Sequence, residues 1–344
     1  MQDVRLILVG LGNLGSRFCR ILDNKREQLR EDFGLNLELV GAADSRGAAY
    51  DPDNGLDPLR IMELKSAGAS VADYPRVGRP GWLSTALTSR AEADVLLEAS
   101  PVALEKGAEP ALSAIRTALE RGMHVVTPNK GPMVVAYTEL HKLAASKNVQ
   151  LRFDGTVAGG LPALYIGQRD LRGATITRLE AVPNLCTGYV MDMLAKGLAW
   201  DEAISRARDA GVLEGDGTWD LEGWDGAAKL VILANAILKV SATLDDVDRR
   251  GITDLQADDL VAARKRGERF RLLAKAERDA GGSFELSVAP QPLPTDHPLG
   301  RLGSKEMGIV YETDIYGTIT AVIDEPSPVP SAATMLRDVL DIYV

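Results

Sequence analysis

The sequence predicts an α/β chain: a doubly wound parallel sheet in the N-terminal half, followed by a second α+β domain. Three observations carry this. Short apolar runs alternate with segments of helical spacing up to Asp154. A glycine-rich turn sits between the first apolar run and the first helical segment. After Asp154 the alternation stops, and strands are separated by consecutive helices. Continuous apolar strands that alternate with helices belong to a parallel sheet covered on both faces.

The elements follow in order. Arg5–Val9 is a β-type run, and residues 16–29 have helical spacing. Leu37–Ala43 is a second strand and Asp94–Glu98 a third, followed by a helix over Pro110–Arg121. His124–Thr127, a helix over Thr138–Ser146 and a strand over Val149–Phe153 complete the first half. Tyr50–Thr88 is less regular and reads as an excursion from the sheet. Beyond Asp154, strands are expected at Thr175–Val182 and Gly317–Ile323, with helices at Thr187–Lys196 and Asp201–Ala210. A helix over Asp225–Leu238 is apolar almost all round and must be buried on most sides. A last helix, Ser331–Leu340, packs back on the first domain. The expected divisions are 1–154, 155–324 and 325–344.

Composition narrows the function. The chain has 344 residues, 45% hydrophobic and 26% charged, which suits a globular protein of about two domains. A net charge of -10 argues against gripping nucleic acid or anionic lipid. The basic stretch Arg264–Lys275 is interrupted by acids and reads as the solvated face of a helix. Two cysteines, Cys19 and Cys186, give no disulfide framework, and three scattered histidines give no ligand spacing for a structural metal. The start of the chain runs straight into a strand with no apolar signal, and no window is long enough to span a membrane. A cytoplasmic protein is expected.

Val9-Gly10-Leu11-Gly12-Asn13-Leu14-Gly15 is G-x-G-x-x-G directly after a strand and opening a helix. The first glycine makes the tight turn, the second lets backbone approach a pyrophosphate, and the third packs helix on strand. The helix N-terminus supplies free N–H groups to phosphate. Taken alone the motif is also an ordinary glycine-rich turn. Its flanks and the acid ending the second strand, Asp44, make it a Rossmann-type dinucleotide fingerprint. Asp44 favours NAD by accepting from ribose hydroxyls, whereas Arg46 suits the 2′-phosphate of NADP, so the choice stays open. The expected cofactor contacts are Gly10, Gly12, Asn13, Leu14, Gly15, Asp44, Arg46, Ser100 and Lys130.

Asp225 and Lys229 are four residues apart, on one face of an otherwise apolar helix. By itself the pair is equally a structural salt bridge or a catalytic set. Lys130 lies beyond a strand's carboxyl end, where open α/β sheets place ligands. By itself it is also an ordinary loop lysine.

Four segments together resemble the homoserine dehydrogenase family. Thr127-Pro128-Asn129-Lys130-Gly131-Pro132 is similar to its lysine loop, and residues 154–162, Asp-Gly-Thr-Val-Ala-Gly-Gly-Leu-Pro, to its glycine-rich crossover. Residues 214–220 and 225–229 are similar to its acid-and-lysine segment, and Asp296-His297-Pro298-Leu299 to a family turn. The resemblance covers nearly the whole chain, in the short form that lacks a C-terminal regulatory domain.

It implies reversible hydride transfer between NAD or NADP and a primary alcohol or aldehyde carbon, in amino-acid biosynthesis leading to threonine and methionine. Lys229 is the candidate proton-transfer group, with Lys130 assisting and Asp225 orienting Lys229 or binding water. Glu214, Asp220 and Thr187 form the implied substrate set, the acids holding an ammonium group. A monovalent cation bound by main-chain carbonyls would involve Asp154, Val157, Gly159 and Leu161. The family also implies a homodimer, with the second domain supplying the interface.

Three departures fall near the substrate. Asn184-Leu185-Cys186-Thr187-Gly188-Tyr189 carries Leu185 where the family has glycine and Cys186 where it has a hydroxyl. Val212 replaces an aromatic residue, and Glu325-Pro326-Ser327 replaces a glycine-rich loop. These fit a related dehydrogenase acting on another small hydroxy acid or aldehyde, or neutral drift. A dinucleotide-binding sensor without turnover is a third reading, opposed by the joint presence of Lys130, Glu214, Asp225 and Lys229. Cys186 as a nucleophile is a further alternative, set against an inert packing residue.

Overall fold

The structure, a computed structural model, describes residues 1–213 and 215–344. They form two units: Met1–Thr156 with Ser327–Val344, and Val157–Pro326.

The first unit is built on seven strands: β1 (Gln2–Val9), β2 (Leu35–Ala43), β3 (Gly47–Tyr50), β4 (Gly78–Pro80), β5 (Val95–Glu98), β6 (His124–Val126) and β7 (Leu151–Arg152). They are ordered β4-β3-β2-β1-β5-β6-β7. β2, β1, β5, β6 and β7 run parallel. Leu6, Ile7 and Leu8 of β1 are all fully buried. Consecutive residues point to opposite faces, so both faces of the sheet are covered. The helices are α1 (Asn13–Phe33), α2 (Pro58–Ser66), α3 (Ser84–Arg90), α4 (Ala111–Glu120), α5 (Lys130–Val135) and α6 (Tyr137–Ser146).

α1 buries Phe18, Cys19, Leu22 and Leu29 and stops at Gly34, whose left-handed φ of 66° closes the last turn. The C-terminal helix Val329–Tyr343 buries Ala332, Met335 and Val339, spaced three and four apart, in the same core as Phe18 and Leu22.

Tyr50–Thr88 leaves the sheet for most of its length, as expected, and returns to it only at β4. β3 pairs antiparallel with β2, and β4 antiparallel with β3, extending that edge. They are four and three residues long, too short for alternation to reveal them.

The second unit carries β8 (Ile176–Val182), β9 (Val247–Arg249), β10 (Glu268–Arg278), β11 (Phe284–Pro294), β12 (Glu306–Thr313) and β13 (Gly317–Asp324). The order is β13-β12-β8-β10-β11-β9, antiparallel except for β9 beside β11. Its helices are α7 (Ala163–Tyr165), α8 (Leu185–Leu194), α9 (Trp200–Asp209), α10 (Thr218–Leu221), α11 (Trp224–Leu233) and α12 (Ala257–Lys265). α11 runs on as a π-helical turn, Ala234–Leu238, and is buried along nearly its whole length.

The basic stretch Arg264–Lys275 is not one helical face. α12 ends at Lys265 and β10 begins at Glu268. Its cations alternate with apolar residues: Arg269, Arg271 and Lys275 against Phe270, Leu272 and Ala274. Arg271 is 1% exposed, 2.9 Å from Asp192 of α8, and donates to the Leu302 carbonyl at 2.6 Å. Burial of that guanidinium is offset by a charge partner and by a carbonyl acceptor.

Candidate active site

In the first unit the chain passes from β1 through Gly10 and Gly12 into α1. Gly10 has φ +89°, and a Cβ there would lie 2.3 Å from the Ala99 carbonyl carbon and the Ser100 nitrogen. A Cβ on Gly15 would lie 2.0 Å from the Gly10 oxygen. A Cβ on Gly12 would meet nothing within 4 Å. Two glycines are therefore required by packing, and the third leaves open space above its backbone. α1 has neither a side-chain cap nor an acid in its first turn. Such a helix start suits an anion, and these residues fit the pyrophosphate of a dinucleotide. Asn13 and Leu14 form the first helical turn, where the Asn13 side chain accepts from Arg17.

Asp44 sits differently from its sequence reading as a group open to ribose. Its Oδ1 accepts from Ser70 Oγ at 2.8 Å and Arg46 N at 2.9 Å. Its Oδ2 accepts from Lys65 Nζ at 2.7 Å and Val71 N at 3.0 Å. Burial pushes this carboxyl up, but the bonds from Lys65, Arg46, Val71 and Ser70 outweigh it and hold the pKa at about 2. Arg46 is exposed and donates to the Gly68 carbonyl at 2.8 Å. The Lys65–Asp44 pair was not visible in sequence, because its members stand 21 residues apart across β3.

Lys130 is the first residue of α5, and the Asn129 side chain caps that helix by accepting from Gly131 N at 3.0 Å. Asn129 also donates to the Ser100 carbonyl at 3.1 Å, tying the Lys130 loop to the segment after β5. Asp154 is 3% exposed; its carboxylate pairs with Arg337 and its N–H donates to Asp338 at 3.2 Å. Among the described residues, no group of three or more His, Cys, Asp or Glu has the arrangement of a metal site. Val157 and Leu161 are buried. Gly159 takes φ +57°, and the Glu325 carboxylate occupies the place a Cβ would need; Glu325 also accepts from Gly160 N at 3.1 Å.

In the second unit, Lys229 Nζ lies 2.8 Å from Asp225 Oδ2 and donates to the Pro183 carbonyl at 2.7 Å. Asp225 falls in the first turn of α11, where the helix dipole favours a carboxylate. Asn184 joins the group. Its Oδ1 accepts from Thr187 N at 3.1 Å and so caps α8. Its Nδ2 donates to Asp220 Oδ1 at 2.6 Å and Asp225 Oδ2 at 2.7 Å. Flipping this amide would face an oxygen to two carboxylates, so its orientation is fixed.

The structure thus gathers Lys229, Asp225 and Asp220 and adds Asn184, which sequence reasoning placed in a motif without a role. The signal for it was local: an asparagine at the start of a helix with Thr three residues on. Lys229 keeps 15% side-chain exposure and Asp225 7%. With two of its three N–H directions directed to Asp225 and Pro183, the ammonium has one left for a substrate oxygen.

Glu214 lies outside the described residues. Thr187 is 1% exposed, and its hydroxyl has no partner among the described residues. Its position inside the fold does not match an open substrate contact. Cys186 is also buried, and burial together with the charges of Asp220 and Asp225 pushes its thiol strongly up. Burial likewise pushes Cys19 to about 12. Both cysteines are therefore inert packing residues rather than nucleophiles.

Residues 10–154 match the family model described as homoserine dehydrogenase, NAD binding domain, and residues 162–340 match that of homoserine dehydrogenase. An NAD(+)-dependent homoserine dehydrogenase of Pseudomonas canavaninivorans is 33% identical over 343 residues, covering 100% of this chain and 97% of that protein. The solved homoserine dehydrogenase of Thermoplasma acidophilum has a TM-score of 0.83 at 26% identity, over 98% of each chain. A hyperthermophilic archaeal homoserine dehydrogenase in complex with NADPH has the same fold. Its TM-score is 0.85 at 24% identity, over 99% of this chain and 98% of that one. The ordered glycine turn, the lysine-bearing α5 and the Asp225–Lys229 pair are thus features of a chain that belongs to the homoserine dehydrogenase family.

Proposed function

We propose that the protein is an NAD(P)-dependent homoserine dehydrogenase, interconverting L-homoserine and L-aspartate 4-semialdehyde in amino-acid biosynthesis. The observation that carries the reading is the Lys229–Asp225–Asn184–Asp220 group in the second unit. When bound, the dinucleotide supplies the hydride acceptor or donor. In the oxidative direction C4 of the alcohol loses a hydride and the hydroxyl loses a proton. Lys229 Nζ, held by Asp225 and Pro183, receives that proton on its lone pair as a neutral amine, and the ammonium so formed returns it in the reverse direction. Lys130, the first residue of α5, is proposed to assist. Asp220, with Glu214, holds the substrate ammonium by charge-assisted hydrogen bonds.

The substitution at Cys186 does not favour another substrate. Cys186 is 2% exposed and turned into the fold, and Leu185 is only half-buried at the first turn of α8. Purified protein should oxidise L-homoserine with NAD or NADP at a rate in the usual enzymatic range of about 1–1,000 per second. No turnover of homoserine, alongside turnover of another small hydroxy acid, would reassign the substrate.

Asp44 is proposed to set cofactor choice. Its carboxylate repels a 2′-phosphate while compensating Lys65. Asp44→Ala leaves Lys65 uncompensated beside the exposed Arg46. The ratio of kcat/KM for NADP over NAD should rise by about tenfold or more, a modest Coulomb term at the surface. An unchanged ratio would place the ribose pocket elsewhere.

A homodimer is also proposed. β13 is an outer strand of its sheet, and Ile315, Tyr316 and Val322 on or beside it are 63%, 50% and 40% exposed. An open strand edge with apolar side chains suits pairing between copies. Light scattering should return twice the chain mass; a monomer at micromolar concentration would refute the assembly. A cytoplasmic location agrees with the acidic charge, and no helix among the described residues is long and apolar enough to cross a membrane.

A further inference from the structure

β5 ends in Glu98, an acid with 0% exposure inside the first unit. Its Oε1 accepts from Ser100 N at 3.0 Å and from Ser100 Oγ. Its Oε2 lies 3.4 Å from Thr127 Oγ1. That hydroxyl has one hydrogen, which goes to the Glu98 main-chain oxygen at 2.9 Å, while its oxygen accepts from Asn129 N at 3.0 Å. The Thr127 hydrogen points mainly to that main-chain oxygen, so its contact with Oε2 is a weak one for an anion.

The surroundings are uncharged. β1 pairs Val9 with Glu98, and β6 brings Val126 and Thr127. α4 turns Leu112, Ala114 and Ile115 inward and directs Arg116 to Glu139 at 2.6 Å. The side chain of Asn129 donates to Glu98, and the next residue, Lys130, is the nearest cation along these segments. Burial pushes the carboxyl up to about 7 against the bonds from Ser100, Asn129 and Thr127.

Glu98 lies at the root of two segments. It holds Ser100, whose peptide lies against Gly10, and through Thr127 and Asn129 it holds the loop that starts α5 at Lys130. We propose that Glu98 is a positioning residue which, in its neutral form, fixes the Ser100 and Lys130 segments against the bound dinucleotide. Ionisation leaves a buried anion without a cation, and the two segments move to solvate it. The inference rests on the dinucleotide reading of this unit.

The test is NADH affinity by fluorescence titration at about pH 6 and pH 8.5, because NADH lacks the titrating 2′-phosphate of NADPH. The wild-type dissociation constant should rise about tenfold over that range, as one linked proton requires. Glu98→Gln keeps the shape and a donor without the charge. It should bind as the wild type does at the lower pH, and with no rise at the higher. Glu98→Ala should bind weakly at both. A wild-type affinity independent of pH overturns the proposal, as does a Glu98→Gln profile that tracks the wild type. If Glu98→Gln does not fold, the wild-type profile alone decides. Failure of the wild type to bind NADH at any pH instead overturns the dinucleotide reading, and the proposal with it.

Discussion

Lys229→Ala is expected to lower kcat by about a hundred- to ten-thousandfold, the usual cost of losing a general acid–base group. The NADH dissociation constant should stay as it was, because the dinucleotide cradle is built from the first unit. The geometry explains why the loss falls on chemistry. Lys229 is fixed by Asp225 at 2.8 Å and the Pro183 carbonyl at 2.7 Å, which aims the remaining N–H without spending freedom at the moment of reaction. Removing it takes the cation from buried Asp225, which keeps its bond from Asn184, so some stability is lost as well. Lys229→Gln separates the two effects: its amide still donates to the cluster, while it takes up no proton. Both variants should be equally slow. Full activity of either one would reject the proton-transfer role, whatever the substrate.

The second large effect is Gly12→Val. The site has room for the side chain, since nothing lies within 4 Å of a Cβ there, and its φ of -79° is ordinary for any residue. The fold should keep its Tm. The valine would stand where a phosphate approaches the start of α1, and the charge-assisted bonds forfeited are worth about 1.5–3 kcal/mol each. NADH affinity should fall by about a hundredfold or more. Gly15→Val supplies the contrast. Its Cβ would fall 2.0 Å from the Gly10 oxygen, a backbone atom that cannot yield. That variant should lose about 1–3 kcal/mol of stability or more, and several degrees of Tm. Calorimetry beside the titration distinguishes them; unchanged affinity in Gly12→Val would sink the pyrophosphate assignment.

Much of the first unit was legible because its signals are local. Leu6, Ile7 and Leu8 form an apolar run, and the glycine turn and helix follow within a few residues. The second sheet was harder. β10 carries Arg269, Arg271 and Lys275 on alternate positions, and reading them as a charged helical surface ignored a period of two. Arg271 turns inward only because Asp192, 79 residues earlier, meets it. The candidate site divides in the same way. The Asp225–Lys229 spacing is visible within one helical turn. The engagement of Asp44 by Lys65 and Ser70, and of Asn184 by two aspartates, depends on partners brought together by the fold. The motif position of Thr187 carries no sign of its burial, which depends on how α8 packs.

The contact between Gly159 and Glu325 has a consequence for how the sequence is free to drift. The carboxylate of Glu325 stands where any side chain at 159 would begin, and the left-handed backbone there already disfavours one. A single change at 159 collides with the acid. A single change at 325 removes the acceptor for Gly160 N and opens a void beside the crossover. Each position is the other's constraint across 166 residues of chain. Lineages that shorten the acid are the ones in which the glycine is released, so the two sites should be inherited as a pair.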